Sequence, residues 1–72
     1  MKYKCMWEKL YIRFSSGDVL ERYVKCNDVY DLYAVIGYIH STSTEKVDRI
    51  SYEIVSEDEV EEDKIFSLKG RI

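Results

Sequence analysis

The chain has no proline, three glycines, one histidine and two cysteines, and its longest aliphatic run is the tripeptide Ala34-Val35-Ile36. That run falls far short of the roughly 18 to 20 apolar residues a membrane-spanning helix needs. The N-terminal stretch Met1-Lys2-Tyr3-Lys4-Cys5-Met6-Trp7-Glu8 is broken by charge too early for the apolar region of a secretory signal, so a cytoplasmic protein with no membrane partner is expected. In that setting Cys5 and Cys26 read as reduced thiols acting as small hydrophobes rather than as a disulfide.

The same scarcity limits chemistry. Glycines at 17, 37 and 70 cannot form a Walker A loop or a dinucleotide fingerprint. Cys5, Cys26 and His40 offer three zinc-ligating side chains, but without the close Cys-x-x-Cys or His-x-x-x-His spacings that zinc sites use. No nucleophile stands near a base in a recognisable motif. His40 falls in the last turn of the expected helix, where its role is to cap or pack. The chain is therefore expected to be non-enzymatic and to carry no cofactor.

What the sequence does contain is globular. Of its 72 residues 46% are hydrophobic, 35% charged and 14% aromatic, and seven of the aromatics are tyrosine. This is unlike the low-hydrophobicity, high-charge profile of a disordered chain. With no repeat and no linker-like segment, residues 1–72 read as one domain, small enough that a partner or a second copy would help stabilise it.

Apolar residues alternate from Met6 to Phe14, with Leu10, Ile12 and Phe14 on one face and Trp7, Lys9, Tyr11 and Arg13 on the other, the signature of a half-buried strand. Ser15-Ser16-Gly17-Asp18 supplies a turn, and Val19 to Cys26 resumes the pattern, so a β-hairpin is expected. Setting Phe14 opposite Leu20 would place Ile12 across from Arg22 and Leu10 across from Val24, with Arg13–Glu21, Tyr11–Tyr23 and Lys9–Lys25 on the outer face. A one-residue slip would mix the two faces and is disfavoured.

Asn27-Asp28 provides a helix N-cap. Val29, Leu32, Val35 or Ile36, and Ile39 then recur at helical spacing to about His40. The opposite flank carries Tyr30, Ala34, Gly37 and Ser41, read as a solvated face. Val47 to Val55 alternates again, with Ile50, Tyr52 and Ile54 on one side. Residues 56–64 form an acidic loop, and residues 65–72 read as a short edge strand or as a tail that orders on contact. The fold class is α+β: a small antiparallel sheet in the order β-β-α-β, with a fourth strand at Ile65 to Leu68 as an option, and one helix packed on one face.

Two features stand above this background. Residues 1–40 hold six basic and five acidic side chains, whereas residues 41–72 hold five and nine, and most of the excess lies in Glu57-Asp58-Glu59-Val60-Glu61-Glu62-Asp63. This run lacks the residue order of a calcium-binding loop. The outer face of the hairpin interleaves Trp7, Tyr11 and Tyr23 with Lys9, Arg13 and Lys25. Such a face suits anchoring of a protein partner, since Trp, Tyr and Arg concentrate interface energy. It also suits base stacking of a single-stranded nucleic acid, although the net charge of −3 ranks that lower. The acidic run could occupy a basic, nucleic-acid-binding groove on a partner, because carboxylates satisfy the Arg and Lys that otherwise hold phosphate.

The expected function is that of a small protein-binding domain, a regulator or inhibitor of the accessory kind found in phages and mobile elements. Its partner would be a larger protein or protein–nucleic acid complex, with homodimerisation as a further option.

Overall fold

A computed structural model describes residues 6–66. Three strands and one helix run in the order β1 (Met6–Phe14), β2 (Val19–Cys26), α1 (Val29–Thr42) and β3 (Val47–Val55), followed by two short 3-10 turns at Glu57–Glu59 and Glu62–Lys64. The sheet order is β2-β1-β3, with both edge strands antiparallel to the central β1. The α+β fold class read from the sequence is therefore the observed one, with three strands.

The hairpin register differs from the expected one by two residues. Ile12 pairs with Leu20, Leu10 with Arg22, Tyr11 with Glu21, Lys9 with Tyr23 and Trp7 with Lys25. The reason lies in the turn. The Gly17 amide donates to the Phe14 carbonyl at 2.9 Å and the Phe14 amide to the Asp18 carbonyl at 3.0 Å, closing a three-residue loop with Gly17 at φ 100°. Gly17 supplies the left-handed residue that this tight hairpin closure requires. A shift of two preserves every side chain's face, so the inside and outside sets survive while the pairs change. Lys25 faces Trp7 rather than Lys9, removing the like-charge pair of the expected register.

Helix α1 starts at the expected cap. Asp28 Oδ1 accepts from the Asp31 amide at 3.0 Å, and the Asp31 carboxylate accepts from the Asn27 amide at 3.0 Å, a reciprocal arrangement that satisfies two backbone donors at the helix start. The helix runs two residues past His40. The Ser41 and Thr42 hydroxyls donate to the carbonyls of Gly37 and Tyr38, and the Ser43 amide closes on Ile39. The flank bearing Tyr30, Ala34, Gly37 and Ser41 is exposed, and a Cβ added at Gly37 would meet nothing within 4 Å.

The buried cluster comprises Leu10 and Ile12 from β1, Val24 and Cys26 from β2, and Leu32, Val35 and Ile39 from α1. None comes from β3, so α1 covers β1 and β2 and stops short of the third strand. Ile50 and Val47 pack at the margin of this cluster, but Tyr52 and Ile54, on the same inner side, are 46% and 61% exposed. Glu8 shares that inner face by strand parity and is buried.

After β3 the chain crosses the sheet. It leaves Val55 on one edge and reaches the opposite edge at Ile65, which bridges Tyr23 of β2 in parallel, and the Phe66 amide donates to the Tyr23 carbonyl at 2.8 Å. Phe66 then turns to the helix side, its ring 6.1 Å from that of Tyr38. The expected fourth strand is thus seen only as this single bridge. Ser67 and Leu68 lie outside the described residues, as does Cys5. Among the described residues no helix is long and apolar enough to cross a membrane.

Candidate contact surface

Strand parity brings the expected outer-face side chains together. Trp7, Lys9, Tyr11 and Arg13 project from β1 beside Tyr23 and Lys25 from β2. Cations and rings alternate across the strands: Lys9 Nζ stands 5.2 Å from the Tyr11 ring centre and 5.5 Å from that of Tyr23, and Lys25 Nζ stands 5.8 Å from the Trp7 ring. Each spacing is within reach of cation–π attraction.

This face is not open along its whole length. Tyr23 is only 3% exposed although it points away from the helix, because the acidic segment crosses over it. The Tyr23 hydroxyl reaches Glu61 Oε2 at 3.5 Å. Lys64 stands 3.4 Å from Glu61 and 4.0 Å from Glu21, and Lys9 forms an ion pair with Glu21 at 3.2 Å. The Glu21 carboxylate, hydrogen-bonded to the Lys9 ammonium, holds Lys9 above its ordinary pKa. Tyr11 is engaged as well. Its hydroxyl donates to Glu53 Oε2 of β3 at 2.9 Å, and that bond raises the phenol pKa above 10.0. Arg13 and Lys25 remain exposed, and Trp7 is half-buried with its indole N–H buried and without an acceptor among the described residues.

The acidic run is ordered by local bonds. Ser56 Oγ lies 2.7 Å from Asp58 Oδ1 and 3.3 Å from Glu59 Oε2, and donation from this hydroxyl lowers the Asp58 pKa. The half-buried Val60 and Phe66 anchor the segment while all six carboxylates stay exposed. Of the six only Glu61 has a basic partner among the described residues. Glu57, Asp58, Glu59, Glu62 and Asp63 therefore form a fixed negative ridge beside a partly covered aromatic face. At one end of the sheet Trp7, Lys25, Ile54 and Glu57 line a shallow concavity where the two features meet.

Sequence reasoning treated the aromatic face and the acidic run as separate candidates. It missed that one lies on the other, and it missed Glu21 and Lys64 as the charges that stitch them together. The available signal was the apolar spacing of Val60, Ile65 and Phe66, which marks a docked segment rather than a free loop. Among the described residues no group of three or more His, Cys, Asp or Glu side chains could hold a metal ion. Cys26 is fully buried and His40 is exposed on the last helical turn. Comparison of the chain with family models, curated proteins and solved structures finds no match.

Proposed function

We propose that this chain is a non-enzymatic protein-binding domain, an accessory regulator or inhibitor, that presents its acidic ridge together with the exposed rim of the outer face to a basic surface of a larger protein. The single observation that carries this reading is the crossing of the sheet by residues 57–66. The crossing buries Tyr23, and among the described residues it leaves five carboxylates without a cation. A stacking platform for nucleic-acid bases needs its rings exposed and its cations free. Here one of three rings is covered and Lys9 is paired with Glu21. The same geometry favours a partner rich in Arg and Lys, because the two 3-10 turns display the carboxylates on an already ordered backbone, which leaves only side-chain ordering to the encounter. Trp7, Arg13 and Lys25 at the rim would then set orientation and register, the role such residues have at protein interfaces.

The competing reading, single-stranded nucleic-acid binding through Trp7, Tyr11, Tyr23 and the adjacent bases, is separated by one experiment. Fluorescence anisotropy of labelled single-stranded DNA and RNA is followed at low salt with the intact protein and with a variant in which Glu57, Asp58, Glu59, Glu62 and Asp63 become their amides. The protein-binding reading expects no saturable binding by the intact chain. Tight, salt-sensitive binding by the intact chain would reverse it.

A further inference from the structure

The edge of β3 facing away from β1 has no strand beside it among the described residues, whereas the β2 edge is blunted by the Ile65 bridge. Exposed edges are templates for pairing with another strand and are normally shortened, charged or covered. This one is nine residues long, and on its inner side Tyr52 and Ile54 are left exposed by the helix.

Its sequence is complementary to itself. Placing a second copy antiparallel to β3 about a two-fold axis through Ser51 keeps both sheets' faces aligned. It sets Arg49 opposite Glu53 twice on the outer face and Ile50 opposite Tyr52 twice on the inner face. Opposed charges and aromatic–β-branched pairs are the cross-strand contacts that stabilise a sheet. Moving the axis to Ile50 or Tyr52 puts Arg49 opposite Ser51 or Val55, and both charged pairs are lost.

A second, independent observation points the same way. Within the monomer Arg49 lies directly opposite Arg13 of β1, a like-charge pair that costs stability, and neither guanidinium has an ion pair among the described residues. A carboxylate from across the edge would supply what Arg49 lacks. Glu53 is already held in place by the Tyr11 hydroxyl through Oε2. The bulge between Arg13 and Phe14 ends the regular ladder at Arg49, so the paired stretch is short and the interface falls at the small end of specific contacts.

We propose that two copies of this chain pair through their β3 edges in this register, forming a six-stranded sheet β2-β1-β3-β3-β1-β2 with both helices on one side and a trough between them floored by Tyr52 and Ile54. This surface adjoins the outer-face rim at Arg13 and the concavity at Ile54, but it pairs the chain with itself through the β3 edge, so it does not depend on the binding reading above.

Sedimentation equilibrium over a concentration series tests it with the full chain and three variants: Arg49→Glu, Glu53→Arg, and the two combined. The parent shows a concentration-dependent monomer–dimer equilibrium. Each single reversal raises the dimer dissociation constant by about tenfold or more, since two attractive pairs become repulsive, and the double reversal restores the dimer. Arg49→Glu breaks no side-chain hydrogen bond or ion pair among the described residues and replaces the Arg13–Arg49 repulsion by an attraction. Its monomer therefore melts at a higher temperature even as its dimer is lost, which a general loss of fold cannot produce. A parent that stays monomeric at the highest concentration would overturn the proposal, and exchange protection of the β3 amides that point away from β1 would then put another segment on this edge. So would a dimer unmoved by the single reversals, or a double reversal that stays monomeric.

Discussion

The Phe66 amide donates to the Tyr23 carbonyl at 2.8 Å, and this bond fixes where the acidic segment lies. It joins the far end of the crossing to the β2 edge, while the Phe66 ring packs beside Tyr38 and the Tyr23 side chain is enclosed on the outer face. One residue thus ties three parts of the chain together: the helix, the β2 edge and the negative ridge.

Truncation at this point should release the crossing without unfolding the sheet. Phe66→Ala is expected to cost about 1–3 kcal/mol, below the range for a fully buried phenylalanine because the ring is only partly covered. The amide of residue 66 loses its exchange protection while those of β1 keep theirs. Equal loss of protection throughout would show that the crossing and the sheet unfold as one unit.

Leu10 is completely buried at the centre of the core. Leu10→Ala should destabilise the domain by ~2–5 kcal/mol. A domain of this length has only ~4–11 kcal/mol in total at ~0.05–0.15 kcal/mol per residue. Urea denaturation is the check, with a large fall in midpoint expected and a change below about 1 kcal/mol contradicting the assigned core.

Two local devices carry their own cost. Gly17→Ala forces a side chain into φ 100° and is expected to lose about 1–2 kcal/mol, although a Cβ there would meet no neighbour. Asp28→Ala removes the cap on the Asp31 amide and is expected to lose about 0.5–2 kcal/mol. Thermal melts of both variants test the turn and the helix start separately.

Much of the fold is legible in the sequence because its periodicities are clean. Leu10, Ile12, Val24, Leu32, Val35 and Ile39 sit inside as their spacing indicates, and Asp28 caps the helix. The exact hairpin pairing was not legible, since registers two residues apart bury the same faces and only the geometry at Gly17 chooses between them. The exposure of Tyr52 and Ile54 was also hidden, because alternation shows that residues share a face but not how far one helix reaches across it. The outer-face set Trp7, Lys9, Tyr11, Arg13, Tyr23 and Lys25 was found by parity. That the chain covers part of it depends on Val60, Ile65 and Phe66 docking after a run of acids, a tertiary contact with only a faint local signal.

Tyr11 provides a pH test of the outer face. Its phenol is raised by the bond to Glu53, so the folded value lies above the unfolded one, near 10.0. The contact therefore favours the fold below that pH, and the contribution is lost as pH rises through the folded value. An NMR titration of the tyrosine ring carbons, with Tyr11→Phe for assignment, should show Tyr11 ionising later than a free tyrosine. Glu53→Gln should return it toward 10.0, and a Tyr11 that titrates identically in both proteins would contradict the bond.

The proposed function rests on the negative ridge meeting a basic protein, and affinity capture from a lysate of the native host tests it most directly. The intact chain and the five-amide variant at 57, 58, 59, 62 and 63 are used in parallel, each with and without nuclease. A defined protein is expected to be retained by the intact chain after nuclease treatment and lost with the amide variant. Loss of all bound material on nuclease treatment, or capture that the amide variant performs equally well, would contradict it.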